Sequence, residues 1–288
     1  MTDELRREFI ETDAGPIHVV VAGEGPPLLM LHGYPQTHVM WFKIAPALAE
    51  RFTVVMPDLR GYGDSAKPPG GPDHAGYSKR AMAEDQVQVM EALGFERFRV
   101  VGHDRGARVA HRMALDHPEA VEKLALLDIV PTLTLFDTVN QPVATGYYHW
   151  FFLIQSGGLP ERLIGQDPEF YLRHKLSHWS ADGGAFTEQA MAEYLRCFSN
   201  PETIRASCED YRAAASIDLE HDRADGDSRI ACPTLVLWGE KGLMGRQYDV
   251  LSTWRDKADD LRGHAIDCGH FLAEEKPEET YAALEDFL

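Results

Sequence analysis

Seven short apolar runs bounded by turn residues recur along the 288-residue chain, with segments of helical pattern between them. The runs at 53–56 and 235–238 are almost wholly hydrophobic, which is typical of strands buried on both faces of a parallel sheet. Helical patterns at 78–93 and 105–116 stop at Gly94 and at Pro118. Alternating strands and helices predict an α/β fold with a mostly parallel central sheet and helices on both faces. The predicted strands are 17–22, 27–32, 52–57, 98–102, 123–128, 234–239 and 264–267.

The alternation stops at about residue 133 and resumes at about residue 217. The segment between has no predicted strand and is rich in aromatic residues: Tyr147, Tyr148, Trp150, Phe151, Phe152, Phe170, Tyr171 and Trp179. Open α/β sheets bind ligands beyond the ends of their strands, so an aromatic helical insertion predicts a cap over those ends. The predicted domains are a core at 1–132, a cap at 133–216 and the rest of the core at 217–288. An independent helical domain is the alternative.

Charge and cysteine content exclude several classes of protein. The chain carries 28 Lys and Arg against 46 Asp and Glu, a net charge of −18, and binding a polyanion or an anionic membrane needs a basic face. The four cysteines show no metal-binding or disulfide pattern. Residues 1–11 are charged without an apolar segment, and no apolar run approaches the length of a membrane span. We expect a cytoplasmic protein that binds neither nucleic acid nor membrane.

The segment with the clearest chemical meaning is 100–106, Val-Val-Gly-His-Asp-Arg-Gly. A predicted buried strand runs into Gly-x-Asp-x-Gly and then directly into a predicted helix. This is the arrangement of a nucleophile elbow, with Asp104 where hydrolases of esters carry serine. The glycines fit a turn that is tight and closely approached by neighbouring backbone.

Partners for Asp104 occur where a nucleophilic mechanism needs them. His270 follows the last predicted strand and is the candidate base, oriented by Asp128 at the end of an earlier strand. Glu240 is the alternative acid, because in this type of fold the acid often follows the corresponding strand, which here ends at Trp238. The backbone amides of Tyr34, in the motif His-Gly-Tyr-Pro at 32–35, and of Arg105 are the predicted oxyanion hole.

An aspartate nucleophile determines the reaction class. A carboxylate is already charged and needs no base to attack, but on a carboxylic ester it would give only an anhydride. On an sp³ carbon with a leaving group it gives an alkyl ester that the enzyme can hydrolyse. The chemistry predicted for Asp104 is therefore cleavage of a carbon–halogen bond or of an epoxide.

Two arginines favour an anionic haloacid. Arg105 and Arg108 are three residues apart on the helix that leaves the elbow and can share one face beside the nucleophile. Paired guanidinium groups suit a substrate carboxylate, although a surface ion pair is the simpler alternative for each. In the cap, His149-Trp150 and Tyr211 offer N–H and O–H donors, and packing is their alternative role.

These motifs resemble the fluoroacetate, or haloacetate, dehalogenase family of the α/β-hydrolase fold. The resemblance covers most of the chain and is close over 32–41, 58–65 and 102–118. The elbow and the His-Gly-x-Pro motif are shared with epoxide hydrolases. The combination of Asp104, Arg105 and Arg108 and the pair His149-Trp150 are more specific. Tyr34 departs from the family pattern, where phenylalanine is frequent, and so bears on substrate preference.

The resemblance implies a complete site that needs only a haloacid and water, without a metal or cofactor. Asp104 is the nucleophile, while His270 and Asp128 activate water. Substrate binding falls to five further residues: Arg105 and Arg108 for the carboxylate, and His149, Trp150 and Tyr211 for the halide. A homodimer is also implied.

The sequence therefore predicts hydrolysis of a haloacetate to glycolate and halide through an aspartyl ester. An epoxide hydrolase with the same Asp-His-Asp machinery is the alternative, with Tyr211 and either Tyr147 or Tyr148 as proton donors. A non-catalytic ligand receptor on the same fold is a further one, although every catalytic position is filled.

Overall fold

The computed structural model describes residues 5–288, which contain a single eight-stranded sheet. The strand order across the sheet is β1-β2-β4-β3-β5-β6-β7-β8. The strands are β1 (Arg6–Thr12), β2 (Gly15–Ala22), β3 (Pro27–Leu31), β4 (Thr53–Pro57), β5 (Phe98–His103), β6 (Val121–Leu127), β7 (Thr234–Gly239) and β8 (Leu261–Ile266).

Parallel pairing prevails in the sheet, as the apolar runs predicted. From β4 through β3, β5, β6 and β7 to β8 every neighbouring pair is parallel. The pairs β1–β2 and β2–β4 are antiparallel. Strand β1 lies in the charged segment where the sequence analysis predicted no strand. Only Ile10 of it is buried, because an edge strand needs no apolar run on both faces.

Fifteen α-helices surround or extend this sheet within residues 5–288. Those of the sheet region are α1 (Ala45–Leu48), α2 (Lys79–Ala92), α3 (Arg105–Asp116), α12 (Leu243–Gln247), α13 (Val250–Trp254), α14 (Leu272–Glu275) and α15 (Pro277–Phe287). Two of them, α2 and α3, agree with the helical patterns. The Ser78 side chain caps α2 by accepting a hydrogen bond from the Ala81 amide.

All other α-helices lie between β6 and β7. They are α4 (Thr132–Asp137), α5 (Gln141–Gly146), α6 (Tyr148–Leu153), α7 (Leu159–Ile164), α8 (Pro168–Trp179), α9 (Glu188–Phe198), α10 (Pro201–Ala214) and α11 (Ile217–Asp225). Several of them supply buried residues to the same hydrophobic core as the sheet, among them Trp150, Leu172 and Tyr211. The insertion is therefore packed on the sheet, and the boundaries 133 and 216 stay a prediction.

Two further observations bear on the class of protein. Within residues 5–288 no helix has both the length and the apolar character to cross a membrane. All four cysteines are buried and free of disulfides.

Candidate active site

Asp104 occupies the single position between β5 and α3, with a backbone φ of 48° and ψ of −113°. This conformation is sparsely populated for a residue with a side chain, and such strain clusters at functional sites. The turn also requires small neighbours. A Cβ on Gly106 would overlap the carbonyl oxygens that end β3, and one on Gly33 would lie 2.5 Å from the Asp104 Cβ. The glycines therefore let three chain segments meet at the Asp104 carboxylate.

The loop after β3 points an amide at this carboxylate. The Tyr34 backbone N–H donates to Asp104 Oδ1 at 3.0 Å. His32 fixes the loop, because its Nε2 accepts a hydrogen bond from the Leu59 amide at 2.9 Å. Arg105 is the first residue of α3, and amides in a first helical turn have no partner inside the helix. Both predicted oxyanion amides thus belong to backbone beside Asp104.

His270 lies between two carboxylates. Its Nδ1 donates to Asp128 Oδ2 at 2.5 Å, and its Nε2 is 3.9 Å from Asp104 Oδ2. The Gly239 amide donates to Asp128 Oδ1 at 2.9 Å and holds this acid in place. Burial alone would lower the pKa of His270, but the Asp128 hydrogen bond and both negative charges raise it above its usual value.

Asp128, and not Glu240, is the acid that contacts the histidine. Glu240 is exposed directly after β7, and the contacts of this strand with Asp128 come from the backbone of Leu237 and Gly239. Burial by itself would raise the pKa of Asp104, yet His270, His103 and the two arginines together lower it. Asp104 is therefore ionised at neutral pH, which is the state that a carboxylate nucleophile requires.

The structure brings both arginines to the nucleophile but leaves each only partly free. Arg108 Nη1 donates to the Val130 carbonyl at 2.9 Å and to Thr132 Oγ1 at 3.0 Å. Arg105 Nε and Nη2 donate to the Asp210 carboxylate at 2.9 and 2.7 Å. Within residues 5–288, Arg105 Nη1 and Arg108 Nε are buried without a hydrogen-bond partner. These two groups are the ones available to an anion.

Asp210 is a residue that the sequence analysis did not single out. It is fully buried on α10 and also accepts a hydrogen bond from the Tyr62 hydroxyl and one from Lys79 Nζ. Burial would raise its pKa, but Arg105 and Lys79 lower it well below the usual range. The one sequence signal that could have pointed to Asp210 is its position directly before Tyr211, a predicted halide-binding residue.

Three unpaired donors lie opposite the nucleophile. His149 Nδ1, Trp150 Nε1 and the Tyr211 hydroxyl are buried and have no hydrogen-bond partner among the described residues. The Tyr211 ring centroid is 5.4 Å from that of His149 and 5.4 Å from that of Trp150. Burying a polar group without a partner is costly, so such a group of three indicates a ligand position.

The protonation states suit donation. Burial lowers the pKa of His149 well below its usual value, and the nearby Lys175 lowers it further, so the ring is neutral. Burial and the Asp104 charge raise the pKa of Tyr211 well above 10, so its hydroxyl keeps its proton. The guanidinium of Arg105 lies over the Tyr211 ring at 4.2 Å, which adds a favourable cation–π contact.

One group of metal-ligand types occurs elsewhere in the described part of the chain: His18, His38 and Asp58. Its carboxylate is already engaged on both oxygens. His38 Nδ1 donates to Oδ1 at 2.8 Å, His18 Nδ1 donates to Oδ2 at 2.9 Å, and the Asp64 amide also donates to Oδ2 at 3.1 Å. These bonds join the loop after β4 to β2 and to the segment after β3, which is a structural role.

Asp104 between β5 and α3, Asp128 after β6 and His270 after β8 occupy the positions that the nucleophile, acid and base take in enzymes of the α/β-hydrolase type. The sequence family described as the alpha/beta hydrolase fold matches residues 26–277. The solved structure of ALR0039, an α/β hydrolase from Nostoc sp PCC 7120, is 62% identical with a TM-score of 0.98, covering 100% of this chain and 99% of that one.

Two curated relatives narrow the class. The chain is 45% identical to a fluoroacetate dehalogenase of Burkholderia sp, over 100% of this chain and 95% of the relative. It is 39% identical to a soluble epoxide hydrolase of Corynebacterium sp. (strain C12), over 96% of this chain and 95% of the relative. The chain therefore belongs to the α/β-hydrolase family, and within it to the fluoroacetate dehalogenase family. The fold and the family inferred from the sequence are confirmed.

Proposed function

We propose that this enzyme hydrolyses haloacetates to glycolate and halide through an ester on Asp104. The observation that carries the proposal is the pair of buried, unpartnered N–H groups of Arg105 and Arg108 beside a carboxylate nucleophile. Arg105 already has the Asp210 carboxylate as its counter-ion, but with an uncharged substrate Arg105 Nη1 and Arg108 Nε would stay buried without an anionic acceptor. A haloacetate supplies the second carboxylate, which these groups bind.

In the first step, Asp104 Oδ2 attacks the α-carbon of the haloacetate. A carbon–oxygen bond forms and the halide leaves with the electron pair of the carbon–halogen bond. Oδ1 stays on the Tyr34 amide, 3.0 Å away, which fixes the carboxylate for in-line attack. His149, Trp150 and Tyr211 donate to the halogen as its negative charge grows, and such transition-state contacts raise the rate.

In the second step, His270 Nε2 takes a proton from water, whose oxygen attacks Cγ of the ester. The oxyanion forms on Oδ1, and collapse expels glycolate, which carries away Oδ2 and receives the proton. Esterification removes the Asp104 charge that helps to raise the His270 pKa. The neutral form of His270, which is the form that can accept a proton, is therefore favoured once the ester has formed.

The deciding assay incubates the pure protein with fluoroacetate, chloroacetate and styrene oxide and follows halide release and diol formation. Halide from a haloacetate is the expected result. Diol without halide would overturn the proposal and establish the epoxide alternative. A companion Arg108→Met variant should lose haloacetate turnover, since it removes an anion-binding group without touching Asp104.

The covalent route has its own test. A single turnover in ¹⁸O-water should leave the label in Asp104, because the product hydroxyl oxygen comes from Oδ2. Label in glycolate alone would rule out the ester. His270→Ala should release one halide per site and then stop at the ester stage.

Epoxide hydrolysis is kept as the second candidate because two tyrosines meet in the site. The Tyr211 and Tyr34 hydroxyls are both buried without a partner in residues 5–288, and their ring centroids are 5.3 Å apart. Tyr147 is also buried, whereas Tyr148 is 38% exposed and so is the weaker of the two donors that the sequence suggested. If epoxides are the substrates, Tyr211→Phe should abolish ring opening. The expectation of a homodimer belongs to the same proposal and has the family resemblance as its support, whereas the expected cytoplasmic location has the cysteine content as its support.

A further inference from the structure

A cavity of about 250 Å³ connects the catalytic histidine with the protein surface. It lies between the loop after α8, the N-terminal side of α6 and the segment around α12. The lining residues that matter for its function are His270, Trp179 and Tyr147, together with the exposed His178, Lys241 and Arg246.

The buried and partly buried lining residues lie beside the candidate active-site residues. The Trp179 ring centroid is 5.6 Å from that of His270 and 4.6 Å from that of His149. Tyr147 is 5% exposed, and its ring centroid is 5.2 Å from that of His149. The cavity therefore reaches from the protein surface to His270 and to the two aromatic rings beside His149, those of Trp179 and Tyr147.

Three of the exposed lining residues, His178, Lys241 and Arg246, are of basic types, in a protein whose net charge is −18. Lys241 is neutralised by Asp267, with 2.8 Å between Nζ and Oδ1. Arg246 forms no ion pair with any residue in the described range 5–288, and its only polar contact there is Nε to the Gly242 carbonyl at 3.3 Å. Its guanidinium is thus a free positive charge at the mouth of the cavity.

We infer that this cavity is the route by which the substrate reaches Asp104 and that Arg246 attracts carboxylate anions to its mouth. The inference rests on the proposed function, since it takes the substrate to be an anion. Each negative charge on the surface repels that anion at long range. A free cation where the cavity opens raises the local anion concentration, and low-dielectric walls focus its field.

The test is the dependence of kcat/KM on ionic strength. At ~20 mM salt, Arg246→Gln should lower kcat/KM for chloroacetate about twofold and Arg246→Glu about fivefold. At ~1 M salt, where the Debye length is ~3 Å, the variants should match the wild type. The value of kcat should not change, because Arg246 does not contact the reacting atoms.

Arg223→Glu is the matched control. Arg223 is exposed on α11 and has no ion pair among the described residues, so this change alters the net charge by the same amount. It should leave kcat/KM at its wild-type value. Equal effects of the Arg223 and Arg246 variants would overturn the inference, because net charge alone would then explain the loss.

The route itself is tested by obstruction. Ala181 is exposed and lines the same cavity, so Ala181→Trp should reduce kcat/KM for chloroacetate at least tenfold at every ionic strength. Ala224→Trp, at an exposed alanine on α11, should have no effect. Unchanged kcat/KM in Ala181→Trp would place the route elsewhere.

A binding measurement separates this inference from the proposed function. Iodide and acrylamide should both quench Trp179, whose signal is the difference between wild type and Trp179→Phe. Arg246→Glu should weaken quenching by iodide and leave quenching by neutral acrylamide unchanged. If no haloacetate is turned over, the proposed function fails while this result still decides the role of Arg246. Equal iodide quenching in both proteins would remove that role.

Discussion

The Asp210 carboxylate determines how much of Arg105 a substrate can reach. It takes two of the guanidinium nitrogens and leaves Nη1. The Asp210 carboxylate also fixes the direction of the Nη1 N–H group and balances the buried positive charges of Arg105 and Lys79. Such a pair adds little net stability by itself, but removing one partner strands the other charge in the interior.

Asp210→Asn should therefore cost both stability and substrate binding. We expect the free energy of unfolding to fall by on the order of 3 kcal/mol, because Arg105 and Lys79 lose their counter-ion. We expect KM for chloroacetate to rise roughly tenfold, since Arg105 is no longer held in one orientation. Urea unfolding and steady-state kinetics measure the two effects.

Asp218→Asn is the control for that experiment. Asp218 Oδ1 accepts a hydrogen bond from the Lys79 amide at 2.8 Å, and its Oδ2 lies 3.6 Å from Lys79 Nζ. This variant should lose stability and keep its KM. An unchanged KM in Asp210→Asn would show that Arg105 is oriented by other contacts.

Lys175 is a buried amine on α8 without a hydrogen-bond partner in the described chain. Its Nζ lies 3.5 Å from the centre of the Tyr148 ring and 5.2 Å from that of Trp179. Burial lowers the pKa of Lys175 from 10.5 to about 7. The folded state therefore binds fewer protons than the unfolded chain between about pH 7 and pH 10.5, and stability rises with pH across that window.

Lys175→Met should remove this penalty. The variant should be more stable than the wild type by on the order of 3 kcal/mol at pH 7, and the difference should shrink towards pH 10. Thermal or urea unfolding at pH 7, 8.5 and 10 measures it. Lys257→Met, at a partly exposed lysine, should show no such trend. A pH-independent gain in Lys175→Met would mean that packing, and not charge, is responsible.

The loop that carries His270 is held by a single acidic side chain at the end of α14. Glu275 Oε2 accepts hydrogen bonds from the Gly269 amide at 2.9 Å and the Ala181 amide at 2.7 Å. Its Oε1 accepts one from the Phe271 amide at 2.9 Å. The amides on both sides of His270, and one from the inserted segment, therefore converge on one carboxylate.

Glu275→Gln should slow the second chemical step more than the first. A glutamine has one acceptor oxygen, so at least one amide loses its partner and the loop holds His270 less rigidly. We expect the halide burst to keep its wild-type rate and ester hydrolysis to fall roughly tenfold. Rapid-quench kinetics with chloroacetate separates the two rates.

The exposed Glu278 in the first turn of α15 supplies the matched control, Glu278→Gln. It should leave both rates unchanged. A slower burst in Glu275→Gln would instead mean that this side chain also supports Asp104.

The candidate catalytic residues could be predicted from the sequence, whereas the residues that support them could not. Asp104, Asp128 and His270 were predictable because each follows an apolar strand, and parallel strands end at the same edge of a sheet. Asp210 and Glu275 were not, because Arg105 and Ala181, with which they bond, lie 105 and 94 positions away in the chain. Lys175 was not, because only the packing of the inserted helices buries its amine. Strand β1 was missed because pairing with β2 along one edge, and not hydrophobic periodicity, produces it.

A polar contact joins the core to the inserted helices. The buried Glu274 on α14 accepts a hydrogen bond from the Tyr194 hydroxyl on α9 at 2.9 Å and another from Gln36 beside the oxyanion loop. An ion pair from Arg196 to Asp64, at 2.7 Å, adds a second connection on the surface. Burial raises the pKa of Glu274 to about 8, although Tyr194 and Gln36 oppose the rise.

This carboxyl group should make stability fall with rising pH. Between about pH 4.5 and pH 8 the folded state binds the Glu274 proton and the unfolded chain does not, so the free energy of unfolding declines across that range. Glu274→Gln, which is neutral throughout, should narrow the difference in stability between pH 6 and pH 9. Urea unfolding at both pH values measures the change, with Glu279→Gln, at an exposed position of α15, as control. Identical pH profiles for Glu274→Gln and wild type would contradict the assignment.

The chain leaves the sheet after β6 and returns in β7, which pairs directly with β6. The inserted helices therefore belong to a single connection between two neighbouring parallel strands of the sheet. Evolution can exchange such a segment for another without altering the strands or the acid, base and nucleophile at their ends. Relatives that share this core and catalyse different reactions are therefore expected. Grafting the 133–216 segment from one such relative onto another is a practical way to transfer substrate preference.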